Sequence, residues 1–196
     1  MMKLLSIQIG KSQPLAVPTP NGTQEVCSAI RKTTTEGPVR VEPLGLVGDE
    51  QTDLSVHGGL SKAVYAYPIE HYPFWQAQRE QLGFDDVLPH GSMGENLTLQ
   101  GLLEIDVYVG DELHFPDCIL RVTEPRQPCF KFNAVMGDKL AAKKMLQNGL
   151  SGFYLAVVKT GTLSAGQCFT LIPGTRETSI ASLNQSHAKK ADKAEE

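Results

Sequence analysis

At 196 residues and 21.3 kDa, with 41% hydrophobic and 20% charged side chains, the chain can bury a real core and fits one domain with a small appendage. A net charge of −4 and a pI of about 5.7 leave no broad positive field for non-specific nucleic-acid binding, so nucleic acid is not an expected partner.

The opening "MMKLLSIQIG" is too short an apolar run for a membrane span and lacks the regions of a signal peptide. It reads as a first strand in which Leu5, Ile7 and Ile9 alternate with Ser6, Gln8 and Gly10. Lys11 to Asn21, rich in proline and polar residues, reads as a surface loop before a strand near Glu25 to Ile30. Pro43, Gly45 and Gly48 divide Val39 to Leu54 into short strands with tight turns, and "KAVYAYP" is a further strand. After Pro68 a helix runs to Gly83, with Pro73 able to split it into two pieces.

"ENLTLQG", "VYVGDELHF" and "CILRVTE" follow as strands, with a hairpin-like turn at Gly110 and Asp111. "FNAVMGDKLAAKKMLQNG" has helical composition, broken at Gly137 and stopped at Gly149, and "GFYLAVVKTGTL" and "QCFTLIP" return to strand. The pattern predicts a mainly β fold: a closed or nearly closed barrel of short strands with a few capping helices, spanning 1–174. Residues 175–196 carry little that could be buried and read as a polar, disordered tail or a frayed helix.

Cys27, Cys118, Cys129 and Cys168 form no CxxC pair and, without a secretion signal, read as free thiols in a reducing cytoplasm. Three of them sit in apolar strand patterns and read as small buried hydrophobes. Cys129 differs. In "TEPRQPCFKFN", Pro128 fixes the path into the cysteine and biases Gln127 toward extended backbone, while Arg126 and Lys131 lie close on either side. If a helix begins at "CFKFNAVM", its first turn and these cations favour thiolate, which can act as nucleophile, redox centre or soft-metal ligand.

Two weaker constellations accompany it. In "DEQTDLSVHGGLSKAVYAYP", Gly58 and Gly59 let backbone N–H groups approach an anion, flanked by His57 and Lys62, although such a turn is more often only a turn. In "GSMGENLTLQG", Glu95 and Asn96 precede a strand, where they either pin a loop or point into a site. The sequence has no HExxH, zinc-spaced Cys/His pair, GxGxxG after a strand, P-loop or GxSxG.

Taken in order, "GLVGDEQTDLSVHGGLSKAVYAYPIEHY", "GENLTLQGL", "VYVGDEL" and "PRQPCFK" resemble the MOSC domain, and within it the YiiM-like branch. The resemblance runs from about Leu5 to Leu171. It implies a barrel that binds the molybdenum cofactor, a phosphate-bearing pterin with dithiolene-held molybdenum. It also implies that Cys129 is the metal ligand and that His57, Gly58, Gly59, Lys62, Asn96, Arg126 and Lys131 surround the cofactor.

Relatives of this kind resemble reductases that convert N-hydroxylated compounds, hydroxylaminopurine among them, to amines in a detoxifying two-electron reaction that releases water. His57 or Glu95 is the expected proton donor. With no flavin, iron–sulfur or nicotinamide motif in the sequence, electrons are expected from a separate reductase. Pyridoxal phosphate, used by sulfurases that carry a MOSC domain, is not expected on this chain. The alternative is a carrier that holds sulfur as a persulfide, or holds the cofactor itself, on Cys129; a third reading is a purely structural role.

Overall fold

A computed structural model describes residues 1–52 and 58–194. The elements in chain order are β1 (Lys3–Ile9), β2 (Gln13–Thr19), β3 (Gly22–Ser28), β4 (Thr33–Thr34), β5 (Val39–Glu42), β6 (Gly45–Leu46), β7 (Val64–Pro68), α1 (Tyr72–Gln81), β8 (Leu97–Gln100), β9 (Glu112–His114), β10 (Ile119–Pro125), α2 (Phe130–Met136), α3 (Ala141–Asn148), β11 (Phe153–Lys159), β12 (Gly161–Leu163), β13 (Thr170–Ile172) and α4 (Ile180–Ala194). The mainly β class follows.

The main sheet has eight strands in the order β13-β9-β10-β11-β7-β8-β1-β4. As a ladder it is open, which leaves the nearly closed of the two forms expected from the strand count. Its ends are nonetheless drawn together. Leu4 N–H donates to the Gln167 carbonyl at 2.9 Å and Gly166 N–H to the Leu4 carbonyl at 2.7 Å, which ties β1 to the segment leading into β13. Period-two alternation gives the sheet two apolar faces. Val64 and Ala66 of β7 join the enclosed aliphatic core, with Leu97, Leu120 and Phe153. Tyr65 and Tyr67 point the other way, into an aromatic layer of Trp75, Phe132 and Met145 beneath α1, α2 and α3.

Four local expectations need correction. Lys11 to Asn21 is not a loop: it holds β2, hairpinned to β3, with Leu15 and Val17 buried in alternation. Pro14 and Pro18 are tolerated because a two-stranded ribbon leaves each strand an unpaired edge. In β1 the core residue is Leu4 rather than Leu5, because a register shift between Leu4 and Ser6 resets the alternation. Of the cysteines read as buried, only Cys118 is; Cys27 and Cys168 are exposed. Burial pushes the Cys118 thiol up to about 12, with Asp117 adding to the effect.

The polar C-terminal segment, finally, is ordered as α4. Ser179 Oγ accepts the Ser182 N–H at 3.1 Å, and Ile180 and Asn184, four residues apart on one face, are both buried. Asn184 Nδ2 donates to the Gly149 carbonyl at 3.0 Å, so a polar residue does much of the docking.

The helices match their sequence signals. Pro73 lies in the first turn of α1 and starts it, after a 3-10 turn at Ile69–His71. Gly137 and Gly149 end α2 and α3 with φ of 66° each, in the left-handed region glycine adopts without strain. Among the described residues, no helix is long and apolar enough to cross a membrane.

Candidate functional site

β10 ends at Pro125, and the chain passes through Arg126, Gln127 and Pro128 into α2. Cys129 is the N-cap of that helix, with extended backbone (φ −129°, ψ 178°) and intermediate exposure. The constrained entry read from Pro128 therefore delivers the thiol to a pocket. Its walls include Lys32, Asp49, Tyr65, Asn96, Arg126 and Tyr154, and Lys62 and Lys131 also reach it.

Tyr65 and Tyr154 are directly opposed across β7 and β11, with ring centroids 5.4 Å apart, and they form an aromatic floor. The Arg126 guanidinium lies 5.1 Å from the Tyr65 ring centre and 5.0 Å from that of Phe132, and Nη1 approaches Met145 Sδ at 3.7 Å. Arg126 is 6% exposed, and among the described residues no carboxylate lies within ion-pair distance of it. Burial opposes its charge, but Tyr65, Tyr154 and Cys129 outweigh that and push its pKa up. The guanidinium is thus a fixed, buried cation beside the thiol.

Lys62 Nζ lies 3.5 Å from Glu124 Oε2 and 5.7 Å from the Tyr154 ring centre. Lys131 Nζ donates to the Cys27 carbonyl at 3.2 Å, at the exposed rim. On the opposite wall Lys32 Nζ donates to Asp49 Oδ1 at 2.5 Å, with the two side chains only 8% and 7% exposed.

The structure thus gathers Cys129, Arg126, Lys62, Lys131 and Asn96 from the residues singled out in the sequence. Asn96 also has a structural duty: its Oδ1 accepts the Tyr65 N–H at 3.0 Å and its Nδ2 donates to Asp49 Oδ2 at 2.8 Å, locking β7 and β8 to the pocket wall. Gly58 and Gly59 are not among the lining residues. Gly59, at φ 89°, makes a turn whose N–H donates to Gln51 Oε1 at 2.9 Å, with Lys62 three residues on. His57 lies outside the described residues.

Glu95 is fully buried behind the pocket rather than in it. Its carboxylate accepts hydrogen bonds from Tyr72 Oη, the Gly91 and Met93 N–H groups and Thr98 Oγ1. Burial pushes its carboxyl above the ordinary range despite those bonds. A carboxyl whose folded pKa is raised contributes stability at pH below its unfolded pKa and loses it as pH rises through the folded value. Glu95→Gln is therefore expected to flatten this loss: the difference in urea midpoint between about pH 5 and about pH 8 should shrink relative to the wild type. An unchanged difference would mean that Glu95 is ionised throughout.

Sequence reasoning missed Lys32, Asp49, Tyr65 and Tyr154. Asp49 and Tyr65 lie inside stretches noticed for other residues, but only the sheet brings them to one cavity. Among the described residues, no group of three or more His, Cys, Asp or Glu is assembled to hold a metal ion. The pocket instead offers one thiol, several cations and an aromatic floor. That set suits an anionic ligand with a flat ring system.

Comparison with known proteins places this geometry. A family model described as the MOSC domain matches residues 53–170. The chain is 34% identical to Protein YiiM of Escherichia coli over 153 residues, covering 78% of this chain and 67% of that one. It is 36% identical over 149 residues to a Gibberella moniliformis protein named Reductase, covering 76% of this chain and 26% of that longer one. The crystal structure of YiiM from Geobacillus stearothermophilus superposes with a TM-score of 0.76 at 30% identity, covering 98% of this chain and 86% of that one.

Proposed function

Because the chain belongs to the MOSC domain family, with a YiiM-like fold and a reductase-named relative, we propose that it is an oxidoreductase that binds the molybdenum cofactor and reduces N-hydroxylated compounds to amines. The observation that carries this reading is the buried Arg126 guanidinium, without a carboxylate partner among the described residues, sharing one pocket with the Cys129 thiol. A buried cation left in that state favours an anionic ligand, and a cysteine sulfur in the same pocket suits a soft metal.

On this reading Cys129 holds the metal, Arg126, Lys62 and Lys131 hold the pterin phosphate, and Tyr65 and Tyr154 line the wall against the ring system. When bound, the cofactor supplies the two-electron redox chemistry at molybdenum. The protein's part is to place it. Arg126, stacked on Tyr65 and Phe132, is immobilised before any ligand arrives, so its charge is presented at little entropic cost. Pro128 and the cap position restrict the backbone that carries the thiol. The aromatic floor keeps water from one side of the site and raises the strength of every charge within it.

Electrons come from a separate reductase protein, and the setting is cytoplasmic. The carrier alternative uses the same thiol, but the built wall of Arg126, Tyr65 and Tyr154 favours a resident ring-bearing ligand over a sulfur atom alone. The test is to supply cofactor-loaded protein with a dithionite-reduced viologen and follow hydroxylaminopurine and simple hydroxylamines by chromatography. Conversion to the amines is expected. If loaded protein leaves all of them unreduced, the reductase reading fails, and a sulfur-sized mass adduct lost in Cys129→Ala would then favour the carrier.

A further inference from the structure

Resting on the reductase reading, we infer that Lys32 is the residue that protonates the departing oxygen of the substrate. Removing the hydroxyl of an N-hydroxylated amine consumes two electrons and two protons: the N–O bond breaks, the oxygen leaves as water and the nitrogen becomes an amine. The electrons come from the external reductase. One proton must reach the oxygen as it departs, in a pocket partly closed to water, so an acid of the protein within reach of the substrate is required.

The groups around the pocket narrow the choice. Arg126 does not deprotonate in a protein. Lys62 faces Glu124, and Lys131 sits at the exposed rim on the Cys27 carbonyl. Burial raises the pKa values of Tyr65 and Tyr154, and the Tyr65 hydroxyl already donates to the Ser151 carbonyl at 2.7 Å. Glu95 is outside the pocket, enclosed by Tyr72, Thr98 and two backbone amides. Cys129 is committed to the metal, and Glu50 lies toward the surface with Lys11.

Lys32 alone among these is at once in the pocket wall, nearly buried and equipped with donors to spare. An ammonium has three N–H bonds, and among the described residues the hydrogen bond of Lys32 Nζ goes to Asp49. Asp49 is itself anchored, accepting the Gly10 N–H at 2.7 Å and Asn96 Nδ2 at 2.8 Å. It holds the ammonium in place while burial pulls the amine below its usual value, against the opposing influence of Asp49 and, from behind, Glu95. In turnover Lys32 gives one proton to the departing oxygen, the second reaches nitrogen from solvent, and the neutral amine is reprotonated through the pocket mouth.

Two readouts on the full chain test this. In protein carrying 13Cε-labelled lysine, with the Lys32 resonance assigned by its loss in Lys32→Arg or Lys32→Met, that resonance is expected to titrate below the other lysines, and lower still in Asp49→Asn. Cofactor-loaded Lys32→Arg, which keeps the charge but not the transferable proton, is expected to retain pterin and metal yet lose turnover by roughly 100-fold or more. A purely structural lysine would be rescued by arginine. Lys32 titrating with the bulk, or an arginine variant with wild-type turnover and pH profile, overturns the assignment while leaving the reductase reading intact. Loaded wild type that reduces no substrate overturns both.

Discussion

Asp49→Ala is expected to destabilise the fold by about 3–5 kcal/mol near neutral pH, the cost of leaving a buried charge without its partner. The substitution strands the Lys32 ammonium and removes the acceptor for the Gly10 N–H and for Asn96 Nδ2, so one change breaks a hydrogen bond to each of three segments. The sign with pH follows from Lys32. Its amine is already below the usual value, and losing Asp49 lowers it further. A lysine depressed in the folded state binds fewer protons there than when unfolded, so stability rises with pH and the penalty should be deeper at about pH 6 than at about pH 9. Urea unfolding at both values checks this. Lys32→Met combined with Asp49→Leu should recover part of the loss, because replacing both members of a buried pair by apolar groups is often near neutral. Asp49→Ala protein as stable as the wild type would mean that Lys32 finds another acceptor.

Arg126→Met should behave in the opposite way, sparing the fold and emptying the site. The methionine fills much of the space beneath Tyr65 and Phe132. Removing the guanidinium from the two ring faces costs about 0.5–2 kcal/mol each, offset by no longer burying a charge. An anion held by this guanidinium loses a charged hydrogen bond worth roughly 1.5–3 kcal/mol, which is about tenfold to 100-fold in affinity. Purified Arg126→Met is therefore expected to melt close to the wild type while retaining far less pterin. A variant that unfolds but keeps its ligand when folded would make Arg126 a packing residue instead.

The parts of this site that could be read in the sequence are those whose chemistry is local. Cys129 announced itself because Pro128, Arg126 and Lys131 are its near neighbours in the chain, and the turns at Gly137 and Gly149 follow from backbone freedom alone. Lys32, Asp49 and Tyr154 carry no such spacing. They meet because β11, β7, β8, β1 and β4 are adjacent in the sheet, with Tyr154 on β11 and Lys32 just before β4, and because Gly10 and Asn96 hold the loop of Asp49 against them, an arrangement set by long-range pairing that no window of residues contains. The same limit explains Glu95: its position before β8 fits either a pinned loop or a site, and only its four donors in the fold place it on the structural side.

The misread elements fail for physical reasons as well. The prolines of β2 mask a two-residue alternation that an unpaired ribbon edge tolerates. The bulge in β1 shifts the buried phase from Leu5 to Leu4. In α4 composition misled because docking depends on Ile180 and a hydrogen-bonded Asn184 rather than on an apolar stripe.

The most direct test of the central claim is the molybdenum and pterin content of protein purified from cells that make the cofactor, wild type beside Cys129→Ser. Stoichiometric metal and pterin are expected in the wild type, and metal is expected to be lost from a folded serine variant that still carries pterin on Arg126 and the lysines. Wild-type protein that neither copurifies with the ligand nor takes it up when supplied, or a serine variant that keeps its metal, would contradict that claim.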